Sequence, residues 1–193
     1  YSCTFEKKYL EASEKECDYL IKNFLNKKNI FCFNSLDSKN NSVDVFDTST
    51  LSGASVVMEN LYRLYVYTYK EKYLNTLSAC LSAVWSQAQK NPFSFSGIVH
   101  VANLVLNSHH FVIVPGRGGN GIDKIKKYLQ KKLFFNFLSI IDDCSTINKN
   151  SPAYGKRAVN NKTTVYVCGK NYCKEPITDL NVLESEVNKL PFY

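Results

Sequence analysis

Apolar positions in the first half of the chain recur every three or four residues, the spacing that lines one face of a helix. FEKKYLEASEKECDYLIKNFL sets Leu10, Cys17, Leu20, Ile21 and Phe24 on one stripe, with Glu and Lys opposite. SGASVVMENLYRLYVYTY follows, with Ser52 as its expected N-cap. KEKYLNTLSACLSAVWSQAQK carries Tyr73, Leu77, Cys80, Leu81, Val84 and Trp85 on a single face. NPFSFSGIVHVANLVLN has Pro92 near its start and is apolar on most sides, which predicts a buried helix. Between the first two helices, IFCFNSLDSKNNSVDVF reads as a short extended excursion with a polar loop. Helices joined by short turns predict antiparallel hairpins.

From residue 110 the period changes. HFVIV, FFNFLSII and TTVYVC read as strands, and a helix over 121–132 joins the first two, burying Ile122, Ile125, Tyr128 and Leu129. Strand, helix and strand within about 30 residues predict a βαβ unit with a parallel pair and a right-handed crossover. STINKNSPAYGKRAVNNK is a polar connector with room for at most one helical turn, and TDLNVLESEVNKL is a closing amphipathic helix. The expected fold is mainly α with a small α/β part, divided into residues 1–109 and 110–193.

Composition narrows the functional classes. The chain has 193 residues, 45% of them hydrophobic and 13% aromatic, which describes a folded domain and not a disordered tail. Its net charge of +7 comes mainly from dispersed Lys, not from Arg clustered among exposed aromatics, so a nucleic-acid partner is not expected. No apolar run approaches the ~20 residues of a membrane span. Seven widely spaced cysteines do not form a secreted disulfide framework, and a reducing cytoplasm is the expected compartment. His100, His109 and His110 do not complete a metal-binding set by spacing, and no cofactor is expected. His100 is expected to be a core histidine with a partner. No nucleophile–base pair or spaced carboxylate pair is evident, so no catalytic residue is named.

One local motif points to phosphate chemistry. In FVIVPGRGGNG, Gly116, Gly118 and Gly121 spell the G-x-G-x-x-G of a dinucleotide-binding turn after a strand and before a helix. Such glycines let the backbone approach a pyrophosphate at the positive helix N-terminus. Asp142, 21 residues beyond Gly121, stands where an acid would hold ribose hydroxyls. The surroundings favour a glycine-rich surface turn, with three short strands, one clear crossover and Pro115 inside the turn.

Two longer stretches carry a broader resemblance. FDTSTLSGASVVMENLYRLYVYTYKEKYL (46–74) and KTTVYVCGKNYCKEPITDL (162–180) resemble the C-terminal part of the spermatogenesis-associated protein 20-like family. The resemblance implies a thioredoxin-like domain upstream. It also implies an (α/α)6 toroid similar to N-acylglucosamine 2-epimerases and six-hairpin glycosidases, then a small α/β segment. Residues 1–109 would be final toroid hairpins. Partners would be the upstream thioredoxin-like domain, the remaining toroid helices and a saccharide ligand. The family's hairpin-loop motif falls on Asp47, Ser52, Gly53 and Ser55. Asp47, Ser52 and Ser55 form the candidate pocket, with helix and turn capping as the alternative role. Leu51 stands where the family has Pro, and Ala54 where it has Asn.

Cys168 and Cys173, with Tyr166 and Pro176, match the family's C-terminal pattern. The C-x4-C spacing is neither that of a thioredoxin-type centre nor half of an evident zinc site, leaving two buried thiols or a local disulfide. Three functions follow as expectations. They are a carbohydrate-related toroid protein, a redox or scaffold protein whose toroid is an interaction platform for a thioredoxin-like domain, and a nucleotide-binding module using the 116–121 turn.

Overall fold

A computed structural model describes residues 1, 3–39, 42–43, 45–119, 121–132, 136–145, 147–169 and 172–190. The chain folds as two compact units. One holds residue 1 and residues 6–106, and the other holds residues 3–5 and those from 107 onward.

The first unit is helical, with α1 (Lys7–Phe24), α2 (Gly53–Thr68), α3 (Glu71–Lys90) and most of α4 (Ser96–Asn107), the last entered through a 3-10 turn at Pro92–Phe95. α2 is its centre, burying Ala54, Ser55, Met58, Leu61, Tyr62, Leu64, Tyr65 and Val66 around most of its circumference. It ends at Tyr69, which adopts a left-handed conformation (φ 50°), and α3 begins two residues later. That short link makes α2 and α3 a helical hairpin. α3 buries Tyr73, Leu77, Cys80, Val84 and Ala88 along one face, while Trp85 from the expected stripe is 38% exposed. On α1 only Cys17 is fully buried, and the rest of the stripe is half-covered. α4 also differs from expectation. It buries Gly97, Ile98, Val101 and Leu104 but leaves Leu106 79% exposed.

The second unit is a three-stranded mixed sheet, β1 (His110–Val114), β2 (Phe137–Ile140) and β3 (Thr164–Cys168), in the order β2-β1-β3. β1 and β2 are parallel and joined by α5 (Ile122–Lys132), giving the expected βαβ unit. β2 was expected over 134–141; Phe134 and Phe135 lie outside the described residues. β3 runs antiparallel to β1. Val159–Asn161 forms a single 3-10 turn in the connector before β3.

β1 is buried on both faces, which is why its sequence is an unbroken apolar run. Phe111 and Ile113 join Leu138, Val165 and Val167 beneath Ile125 and Leu129 of α5 and Leu183 and Val187 of α6 (Leu180–Asn188). On the opposite face, Val112, Val114, Tyr166 and Cys168 meet Cys144 and Ala153 of the connector. Each such Val, Leu or Phe contributes about 1.5–3 kcal/mol through burial. Tyr166 pins the connector by donating its hydroxyl to the Arg157 carbonyl at 2.7 Å.

Candidate functional site

The resemblance motif is gathered into one cluster in the helical unit. Asp47 Oδ1 accepts from the Ser52 backbone N–H at 2.8 Å, and the Ser55 hydroxyl lies 3.3 Å from the same oxygen. Asp47 Oδ2 accepts from the Gly97 N–H at 2.6 Å and the Ser96 hydroxyl at 3.0 Å. Ser52 Oγ in turn accepts from the Ser55 N–H at 3.3 Å, capping α2. One carboxylate thus joins the starts of α2 and α4, satisfying donors that a helix N-terminus otherwise leaves orphaned. Burial pushes the Asp47 pKa up, but the hydrogen bonds from Ser52, Gly97 and Ser96 outweigh it and hold the group below the usual carboxylate range.

Both carboxylate oxygens are engaged within the fold, and Ser52 and Ser55 are 4% and 2% exposed. The cluster therefore ties the two helix starts together, with Asp47 itself partly exposed. Ala54 is buried in the first turn of α2, and Leu51 is half-exposed.

A second polar group on the same two helices was missed in the sequence. Glu59 Oε1 accepts from Arg63 Nε at 2.9 Å and from Nη2 at 2.5 Å, and His100 Nε2 lies 3.9 Å from Glu59 Oε2. The Glu59 and His100 side chains are 20% and 35% exposed, so His100 is half-buried and not a core residue. The i, i+4 spacing of Glu59 and Arg63 was available from the sequence, but the approach of α4 was not.

Cys168 and Cys173 form a disulfide at the C-terminal end of β3. The surrounding hairpin is closed by Gly169 N–H donating to Tyr172 O at 2.8 Å and Lys174 N–H donating to Val167 O at 2.9 Å. Of the two alternatives open from the spacing, the structure contains the disulfide. The buried thiol of Cys144 packs in the same apolar cluster, and burial pushes it up to about 11. No His/Cys/Asp/Glu group suited to a metal ion occurs among the described residues.

The glycine turn leaves β1 and enters α5 as expected. Gly118, Gly119 and Gly121 have φ of 73°, 66° and 86°, a region that side-chain-bearing residues rarely adopt. Gly116 instead lies against the 161–163 backbone, where a Cβ would collide with Asn161, Lys162 and Thr163. A cavity of about 300 Å³ opens beside the turn, lined by Arg117, Gly121, Lys124, Ile125, Asn161, Lys162, Thr163, Thr178 and Leu180. Asp142 is not in that lining. It follows β2, on the opposite side of β1 from β3. With β3 antiparallel, the described residues form one parallel pair and not the pair of parallel crossovers that opens a dinucleotide crevice. The parallel register that pairs Ile113 with Ile140 places Asp142, just beyond β2, at the same edge of the sheet as the glycine turn, though outside the lining of its cavity.

A scan against protein-family models finds no match to the chain, and a search of curated proteins finds none either.

Proposed function

We propose that the chain is the C-terminal portion of a spermatogenesis-associated protein 20-like protein, with its helical unit supplying terminal hairpins of a saccharide-binding toroid. The observation that carries this reading is Asp47. The residues that resemble the family's loop motif meet around one carboxylate, which draws together the starts of α2 and α4.

In this reading Asp47 positions the helices, and ligand contact belongs to groups further along them. Glu59, braced by Arg63 and facing His100, offers a partly exposed carboxylate to an amino sugar. A planar carboxylate pairs with an ammonium or with neighbouring hydroxyls, and charge-assisted hydrogen bonds of this kind give specificity. Calorimetric titration with glucosamine tests the assignment. Binding weakened about tenfold in Glu59→Gln is expected, corresponding to one lost charged hydrogen bond. Absence of glucosamine binding, or binding unchanged in the variant, contradicts it.

The disulfide favours a second reading, in which the protein acts in thiol exchange with the toroid as an interaction platform. Exchange of Cys168–Cys173 with a dithiol in the folded protein supports this reading. A bond that opens only after unfolding makes it structural.

A further inference from the structure

The cavity beside the glycine turn combines features that the toroid reading leaves without a role. Three basic side chains, Arg117, Lys124 and Lys162, line a space of about 300 Å³. None of the three has a carboxylate partner among the described residues. Asp123 and Asp179 adjoin lining residues in sequence, but neither forms an ion pair with the three cations. Asp179 Oδ1 caps α6, accepting from Asn181 N–H at 2.9 Å and Val182 N–H at 3.1 Å. Asp123 belongs to the first turn of α5 but is not in the lining.

Three separate chain segments bring the basic groups together. Arg117 and Gly121 come from the turn after β1, Lys124 and Ile125 from α5, and Lys162 and Thr163 from the strand entry of β3. The turn is fastened to the third segment by Gly116 N–H donating to Thr163 Oγ1 at 3.3 Å. Asn160 and Asn161 have positive φ (51° and 57°), which asparagine accepts more readily than most residues, and they turn the connector toward the cavity. Beyond the charges, Ile125 and Leu180 supply an apolar wall, and Thr178 supplies a hydroxyl.

We infer that this cavity binds the phosphate group of a compact phosphate monoester, with Arg117, Lys124 and Lys162 as its cationic clamp and Ile125 and Leu180 against the organic part. Guanidinium donors pair bidentately with phosphate oxygens, and lysines add point charge. The size supports a compact ligand. About 300 Å³ is at the lower end of small-molecule sites, too small to enclose a dinucleotide.

The test is an NMR titration of the full chain at fixed ionic strength with ribose 5-phosphate, inorganic phosphate, ribose and NAD. Ribose 5-phosphate should bind with a Kd below about 1 mM, inorganic phosphate more weakly, and ribose not at all. Amide shifts should centre on 121–125 and 162–163. Arg117→Gln with Lys162→Gln should weaken the ester about tenfold or more, while Lys28→Gln, at an exposed position of the helical unit, should have no effect. Both substituted side chains are exposed, so the double variant should fold, and its amide spectrum checks this. Four results would overturn the inference: no binding of ribose 5-phosphate, equal shifts in a sodium chloride control, affinity retained in the double variant, or NAD binding more tightly than the ester and weakening in Asp142→Asn.

Discussion

Asp47 accepts hydrogen bonds from two helix starts, so its replacement should have effects beyond an ordinary surface change. Asp47→Ala should destabilise the chain by about 2 kcal/mol, the sum of two lost caps, measured by urea unfolding. Because its folded pKa is depressed, this stabilisation is present above the unfolded value. It is lost as pH falls through the folded one. His110 shows the same sign for a different reason. It is 6% exposed, its Nε2 lies 2.7 Å from Ser139 Oγ, and burial pushes its pKa down to about 3.

The unfolded chain, with a His110 pKa near 6.5, takes the proton first as pH drops. Stability is therefore full above that value, declines below it and levels off near pH 3. At pH 5 the expected loss is about 2 kcal/mol. His109, lowered by burial and by Lys174, acts in the same direction. Unfolding curves between pH 7 and 5 should lose most of this slope in His110→Leu paired with Ser139→Ala; an unchanged slope would reject the assignment. Cysteine chemistry gives a separate check. Cys3 is exposed, while Cys17, Cys32, Cys80 and Cys144 are buried. Alkylation of the native, unreduced protein should be rapid only at Cys3, and Cys168 and Cys173 should react only after reduction.

At the scale of elements, α3 and the βαβ unit were legible because their patterns are local. Tyr73, Leu77, Cys80 and Val84 repeat at helical spacing, and α5 alternates lysines with Ile125 and Leu129. What covers an element was less legible. α4 is apolar enough to read as buried, yet its Leu106 face is open, because apolar content does not report how many neighbours a helix has. The Glu59–His100 approach and the cavity cations were hidden for a related reason, since each joins segments distant in sequence. The glycine turn was correctly placed between strand and helix, but the direction of β3 lies in hydrogen-bond register and not in its apolar run. The turn's glycines also differ in role. Gly116→Ala forces a Cβ onto the 161–163 backbone, whereas Gly118 has open space and only its φ to penalise substitution. Thermal unfolding should show a larger loss for Gly116→Ala than the ~1 kcal/mol expected for Gly118→Ala.

For the whole molecule, composition gave a folded, dispersed-charge protein, and no helix among the described residues is long and apolar enough to cross a membrane. The two units present different chemistry. The helical unit holds a carboxylate braced by Arg63, and the α/β unit holds a basic cavity. The most direct test of the toroid reading is where glucosamine shifts the amide spectrum of the labelled chain. Changes confined to the Glu59, Arg63 and His100 region, absent in Glu59→Gln, are the predicted result. Changes centred on the 116–125 turn, or none in the helical unit at saturating sugar, would contradict it.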